Sequence, residues 1–141
     1  MTDTASLRQR RHAVVVRHME SENALDFATT MTTFSHPRYE LIATDQVFDG
    51  PDEVMEYFRT SRTSFPDQHN EVHAIHHADD AVIVEFDLVG THLGPLFGVE
   101  PTGRVFRCRM TAFFFFDDAD GIICERVYFD SGTILRQLGI A

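Results

Sequence analysis

The fold is decided by one stretch of sequence. It runs Val105-Phe106-Arg107-Cys108-Arg109-Met110-Thr111-Ala112-Phe113-Phe114-Phe115-Phe116, then the turn Asp117-Asp118-Ala119-Asp120-Gly121, then Ile122-Ile123-Cys124-Glu125-Arg126-Val127-Tyr128-Phe129. Two apolar runs around an Asp/Gly turn read as an antiparallel hairpin. Side chains alternate along a strand. Phe106, Cys108, Met110, Ala112, Phe114 and Phe116 therefore share one face, and Arg107, Arg109 and Thr111 share the other. The first face predicts a core. The phenylalanine run implies that both faces of the sheet are covered there, by helices on one side and a second subunit on the other.

Upstream, Asn70 to His77 and Ala81 to His92 read as strands split by the Asp79-Asp80 turn. Gly50-Pro51-Asp52-Glu53 starts a helix, with proline at its first position and acids in its first turn; Phe65-Pro66-Asp67 ends it. Arg38 to Thr44 and Gln46 to Phe48 are short strands. Nearer the N-terminus the pattern predicts a helix from about Ser6 to Met19 and a second one capped by Ser21, with Phe27, Met31 and Phe34 on one face. Ser131 to Leu138 is a short C-terminal helix. Helices first and a long antiparallel run afterwards make an α+β domain: one curved sheet with helices on one face.

At 141 residues the chain is read as one domain spanning 1–141, long enough to bury a core. No apolar run approaches the roughly 20 residues that span a bilayer. The Val14-Val15-Val16 run is short and flanked by Arg11, His12 and Arg17, unlike a secretion signal, so the protein is read as cytoplasmic. The net charge of −10 argues against a nucleic-acid partner. The sequence holds no lysine, which removes Schiff-base chemistry and pyridoxal enzymes. Cys108 and Cys124 lie in neighbouring apolar strands and read as buried thiols. His69, His73, His76 and His77 lack a completing ligand set, and no metal is expected there.

The residue that most needs explaining is Asp130, an acid at the end of an apolar strand. If Phe116 pairs with Ile122, simple counting sets Asp130 beside Cys108 and Tyr128 beside Met110. Asp130 would then project into an apolar cavity, where burial raises a carboxyl pKa toward that of a general acid/base. A one-residue change of register would instead put Asp130 beside Arg109 and depress its pKa. Asp130 also precedes Ser131-Gly132-Thr133 and a helix, the position of an N-cap. His92, between Gly90 and Gly94, is a candidate hydrogen-bonder or proton shuttle. Tyr39 stands where the helices hand over to the sheet, a common pocket mouth.

Phe65-Pro66-Asp67, Gly90-Thr91-His92-Leu93-Gly94, Pro101-Thr102-Gly103-Arg104 and Tyr128-Phe129-Asp130 through Gln137-Leu138-Gly139 occur in that order. Together they resemble the SnoaL-like polyketide cyclases, or ester cyclases, of the nuclear transport factor 2-like and ketosteroid isomerase-like superfamily. The resemblance spans roughly residues 10 to 140. It implies a cone-shaped α+β barrel whose curved, mixed sheet wraps around the N-terminal helices and encloses an apolar pocket. It also implies a homodimer without metal or organic cofactor. Asp130 would be the acid/base, taking a proton from a carbon flanked by carbonyls and returning it to the alkoxide formed on ring closure. His92, Tyr128 and Tyr39 would hydrogen-bond the developing oxyanion. Phe106, Met110 and Phe114, with Arg126, would bind an apolar or carbonyl-containing small molecule. Two alternatives stay open: an epoxide hydrolase-like enzyme using Asp130, Arg126 and Asp87, and a non-catalytic dimeric binding protein in which Asp130 is only a cap.

Overall fold

The computed structural model describes residues 4–140. Helix α1 (Thr4–Asn23) leads into α2 (Phe27–Thr32), then strand β1 (Arg38–Leu41), a single 3-10 turn (Ile42–Thr44) and β2 (Gln46–Asp49). Helix α3 (Pro51–Ser64) follows, then β3 (His69–His77), β4 (Ala81–Thr91), β5 (Val105–Phe116), β6 (Ile122–Tyr128) and α4 (Ser131–Leu138). The six strands form one sheet in the order β2-β1-β6-β5-β4-β3. All neighbours are antiparallel except β1 and β6, which run parallel. No helix among the described residues is long and apolar enough to cross a membrane.

The alternation expected along β5 holds: Phe106, Cys108, Met110, Ala112, Phe114 and Phe116 are all buried, while Arg107 and Arg109 are exposed. Val82, Val84 and Phe86 of β4 and Val15 and Met19 of α1 complete this core. Helices α3 and α4 are set by local signals. In α3, Pro51 follows Gly50 at φ 89°, and Glu53 reaches back to accept a hydrogen bond from the Asp49 N–H at 2.9 Å. In α4, Asp130 caps the start and Gly139, at φ 75°, ends it in the left-handed conformation.

Two departures from the sequence expectation matter for the site. First, α1 does not stop before Ser21. It continues to Asn23, and Asp26 rather than Ser21 caps α2 by accepting a hydrogen bond from the Thr29 N–H. Ser21 is buried, bonded to the His18 carbonyl at 2.8 Å and to the Thr30 hydroxyl at 2.6 Å, which ties α1 to α2. Second, β5 and β6 start in the expected register, with Phe116 opposite Ile122, but the next pair is Phe115 with Cys124. Ile123 is the extra residue of a β-bulge. Past it every side chain of β6 changes face. Glu125 and Val127 turn inward, and Tyr128 turns out, opposite Thr111 rather than Met110.

Candidate active site

The prolonged α1 places His18 and Glu22 one turn apart on the buried side of the helix. The bulge turns Glu125 toward them. In the sheet Glu125 lies between Tyr39 on β1 and Phe114 on β5. Four polar side chains therefore meet inside an otherwise apolar core. His18 Nε2 is 2.8 Å from Glu125 Oε1, 3.1 Å from Glu22 Oε1 and 3.1 Å from the Tyr39 hydroxyl. Tyr39 donates to Glu22 at 3.3 Å. On the other side of the ring, the Thr33 hydroxyl gives its hydrogen to the Thr30 carbonyl at 2.6 Å. It therefore accepts from His18 Nδ1, 2.8 Å away. The rings of Phe34 and Phe114 meet His18 edge-on at 5.2 and 5.1 Å.

The electrostatics follow from this packing. Burial alone would lower the His18 pKa. The charge of Glu22 and the hydrogen bond to Glu125 outweigh it, and His18 is pushed up to about 9. Glu125 goes up as well, through burial first and the neighbouring charge of Glu22 second. Glu22 goes down despite its burial, because His18 and Arg62 favour its charge. Burial holds Tyr39 well above the usual phenol range. At neutral pH His18 is an imidazolium set between two carboxyl groups of unequal acidity. The donor atoms of His18, Glu22 and Glu125 lie within 4.8 Å of one another, close enough to share a cation. A metal would have to displace the His18 proton to bind there.

A cavity of about 120 Å³ opens beside the cluster. Glu22, Tyr39, Tyr57, Arg62 and Glu125 form its polar end, and Phe86, Phe106, Met110 and Val127 its apolar wall. It shares Leu41, Tyr57, Phe65, Gln68, Phe129 and Ile134 with an outer cavity of about 350 Å³ between α3, β2, α4 and the loop after β4.

Of the residues singled out in the sequence, Tyr39, Phe106 and Met110 line the inner cavity. Phe114 is fully buried behind it, against His18. The expectation that Asp130 projects into the cavity does not hold. Its side chain is 68% exposed and caps α4, accepting from the Gly132 N–H at 3.1 Å and the Thr133 hydroxyl at 2.8 Å. Those bonds, led by Thr133, hold its pKa below the usual carboxylate value. The bulge is the cause, since it produces the shifted register in which Asp130 falls on the Arg109 side.

His92 is fully buried but away from the cavity. Its Nδ1 accepts from the Thr102 N–H at 3.1 Å, pinning the loop between β4 and β5. Tyr128 is 43% exposed on the outer face, edge-on to Phe113. Arg126 is also on the outer face, paired with Glu40 at 2.6 Å and lying over the Phe115 ring. Asp87 pairs with Arg109 at 2.7 Å, His73 at 3.0 Å and Arg107 at 3.1 Å. The Asp130, Arg126 and Asp87 constellation is thus not assembled in a pocket. Cys108 and Cys124 are free, buried thiols.

Sequence reasoning missed His18, Glu22 and Glu125. The available signal was the i, i+4 spacing of His18 and Glu22, which a helix ending near Met19 hides.

A family model described as SnoaL-like polyketide cyclase matches residues 13–138. The chain belongs to the SnoaL-like polyketide cyclase family. No curated protein sequence matches it. Among solved structures, a protein from Jannaschia sp. CCS1 assigned as a SnoaL-like polyketide cyclase superposes with a TM-score of 0.87 at 18% identity, covering 100% of this chain and 99% of that one. IdmH of Streptomyces antibioticus, assigned as a polyketide cyclase, gives 0.78 at 24% identity over 92% and 98%. A phenazine biosynthesis-related protein of Pseudomonas aeruginosa gives 0.83 at 23% over 100% and 88%. At these identities the likeness establishes the fold, the cone-shaped α+β barrel of the nuclear transport factor 2-like proteins. Within a SnoaL-like cone the cluster around His18 occupies the interior, and membership supports a polyketide cyclase-type role.

Proposed function

We propose that the protein is a cofactor-independent acid/base enzyme of the cyclase type, acting on a small molecule with an activated carbonyl, and that Glu125 is its proton-transfer group. One observation carries this reading. Glu125 is a nearly fully buried carboxyl on the wall of an apolar cavity, with its pKa raised toward the working range. Ionised Glu125 takes the proton from a carbon flanked by carbonyls. The Tyr39 hydroxyl, which donates to Glu22 in the free protein, turns its hydrogen to the enolate oxygen. The enolate carbon attacks a carbonyl of the same molecule, and Glu125 returns its proton to the new alkoxide. The His18 imidazolium, 2.8 Å away, orients the carboxylate throughout. Phe106 and Met110 exclude water and hold the apolar part of the substrate.

The test uses ethyl acetoacetate in deuterated buffer, with deuterium uptake at its activated carbon followed by NMR. Wild type should accelerate exchange, and Glu125→Gln, which keeps the shape without the base, should lose about 10²–10⁴-fold. Equal rates in the two proteins would overturn the assignment.

The outer sheet face supports a working dimer. Ile123 and Tyr128 are exposed there beside the stacked Phe113 and Phe115 rings. Sedimentation equilibrium should give the dimer mass for wild type and the monomer mass for Ile123→Arg; a wild-type monomer would contradict this.

A further inference from the structure

The loop after β4 carries an aromatic residue in an unfavourable place. Leu96 and Val99 exchange two backbone hydrogen bonds, of 3.0 and 2.8 Å, across the two-residue turn Phe97-Gly98. Both turn residues have positive φ, 48° for Phe97 and 77° for Gly98. That geometry selects Asn or Gly at the first position, because a side chain with a bulky Cβ substituent crowds its own backbone there. Phe97 is nonetheless present, and its ring is 74% exposed. Neither the backbone nor the packing of the free protein accounts for a phenylalanine at this position.

The base of the loop is fixed. The N–H groups of Leu93 and Gly94 both donate to the Ser64 carbonyl at the end of α3, and the Ser64 hydroxyl donates to the Pro95 carbonyl at 2.6 Å. Gly94 lies so close to the Thr63 carbonyl that a Cβ there would collide with it. The turn is therefore held rigidly with Phe97 on the rim of the outer cavity. Phe48, Phe65, Phe129 and Leu135 supply the apolar remainder of that lining. The outer cavity adjoins the inner one, where Glu125 stands, and the two share Phe65, Phe129 and Ile134 in their linings.

We propose that the outer cavity is a second subsite that takes the apolar distal end of an elongated substrate, and that Phe97 is its cap and a determinant of substrate length. The substrate class is an amphipathic carbonyl compound, its activated carbon in the inner cavity and an alkyl or aryl extension beneath Phe97. The ring trades exposure in the free protein for contact in the complex, which accounts for its place on a left-handed turn. This inference rests on the inner cavity being the reaction site.

The test is a homologous series of acetoacetate esters, ethyl, butyl, hexyl and octyl, titrated calorimetrically into wild type and Phe97→Asn. In wild type, each methylene that enters the outer cavity should tighten binding by about threefold to fourfold. Phe97→Asn should bind the ethyl ester unchanged and lose the gain for the hexyl and octyl esters. Because asparagine suits the left-handed turn, the variant's Tm should equal or exceed that of wild type, so weaker binding would not reflect misfolding. A wild-type series that is flat with chain length, or a gain that survives in Phe97→Asn, would overturn the proposal. A gain that Phe97→Asn abolishes, in a protein that catalyses no deuterium exchange, would uphold the subsite while refuting the acid/base role of Glu125.

Discussion

His18 Nε2 lies 2.8 Å from Glu125 Oε1, joining the first helix to the last strand through a buried, charge-assisted hydrogen bond. This contact links the stability of the protein to pH. The His18 pKa rises from 6.5 to about 9 on folding. A raised pKa contributes stability that is fully present below the unfolded value and is lost as pH rises through the folded one. Thermal unfolding should therefore show Tm falling between pH 6.5 and about 9, and His18→Gln should flatten that slope. A rise from 6.5 to about 9, at about 1.4 kcal/mol per pH decade, amounts to roughly 3–4 kcal/mol. A wild-type Tm constant across the window would contradict the assignment.

The negative charge of Glu22 is what most favours protonated His18, and Glu22 has Arg62 at 3.7 Å on its other side. Glu22→Gln should lower the His18 pKa from about 9 toward its ordinary value, read from the imidazole shifts in an NMR titration. An unmoved value would mean that Glu125 alone holds the proton on His18.

Asp130 serves the helix and not the cavity. Asp130→Ala should lower Tm, because the Gly132 N–H and the Thr133 hydroxyl lose their acceptor, while Asp130→Asn should restore most of the loss. Both variants should exchange ethyl acetoacetate at the wild-type rate. A large loss of exchange in Asp130→Asn would return the acid/base role to Asp130.

Phe114 is fully buried and meets the His18 ring edge-on at 5.1 Å. Phe114→Ala should cost about 3–5 kcal/mol by denaturant titration, in the range for emptying a large aromatic site in a core. A cost near 1 kcal/mol would mean that the surrounding side chains collapse into the space.

The sheet was legible because side-chain alternation is strict where a strand has one buried face, as on β5, where each predicted core position is buried. The family was legible from loop signatures that fix turns. The site was not, for two local reasons. Ser21 looks like a cap because serine offers an acceptor to a helix start, yet its hydroxyl is consumed by the His18 carbonyl and Thr30. Breaking the helix there separates His18 from Glu22. The bulge at Ile123 leaves no mark in composition, since Ile122-Ile123-Cys124 is apolar in either register. One extra residue is enough to exchange Tyr128 for Val127, and to bring Glu125 inward in place of Asp130. The general chemistry expected of the pocket, a desolvated carboxyl with hydrogen-bond donors, is present, but on a residue five positions earlier in the chain.

The most direct test of the central claim is a carbon-detected NMR titration that follows the carboxyl carbons of Glu125 and Asp130 in the same sample, assigned by Glu125→Gln and Asp130→Asn. Glu125 should titrate above the ordinary glutamate value of 4.5 and Asp130 below the ordinary aspartate value of 3.8. Asp130 titrating toward neutrality with Glu125 at or below its ordinary value would place the proton-transfer group at the helix cap and contradict the account.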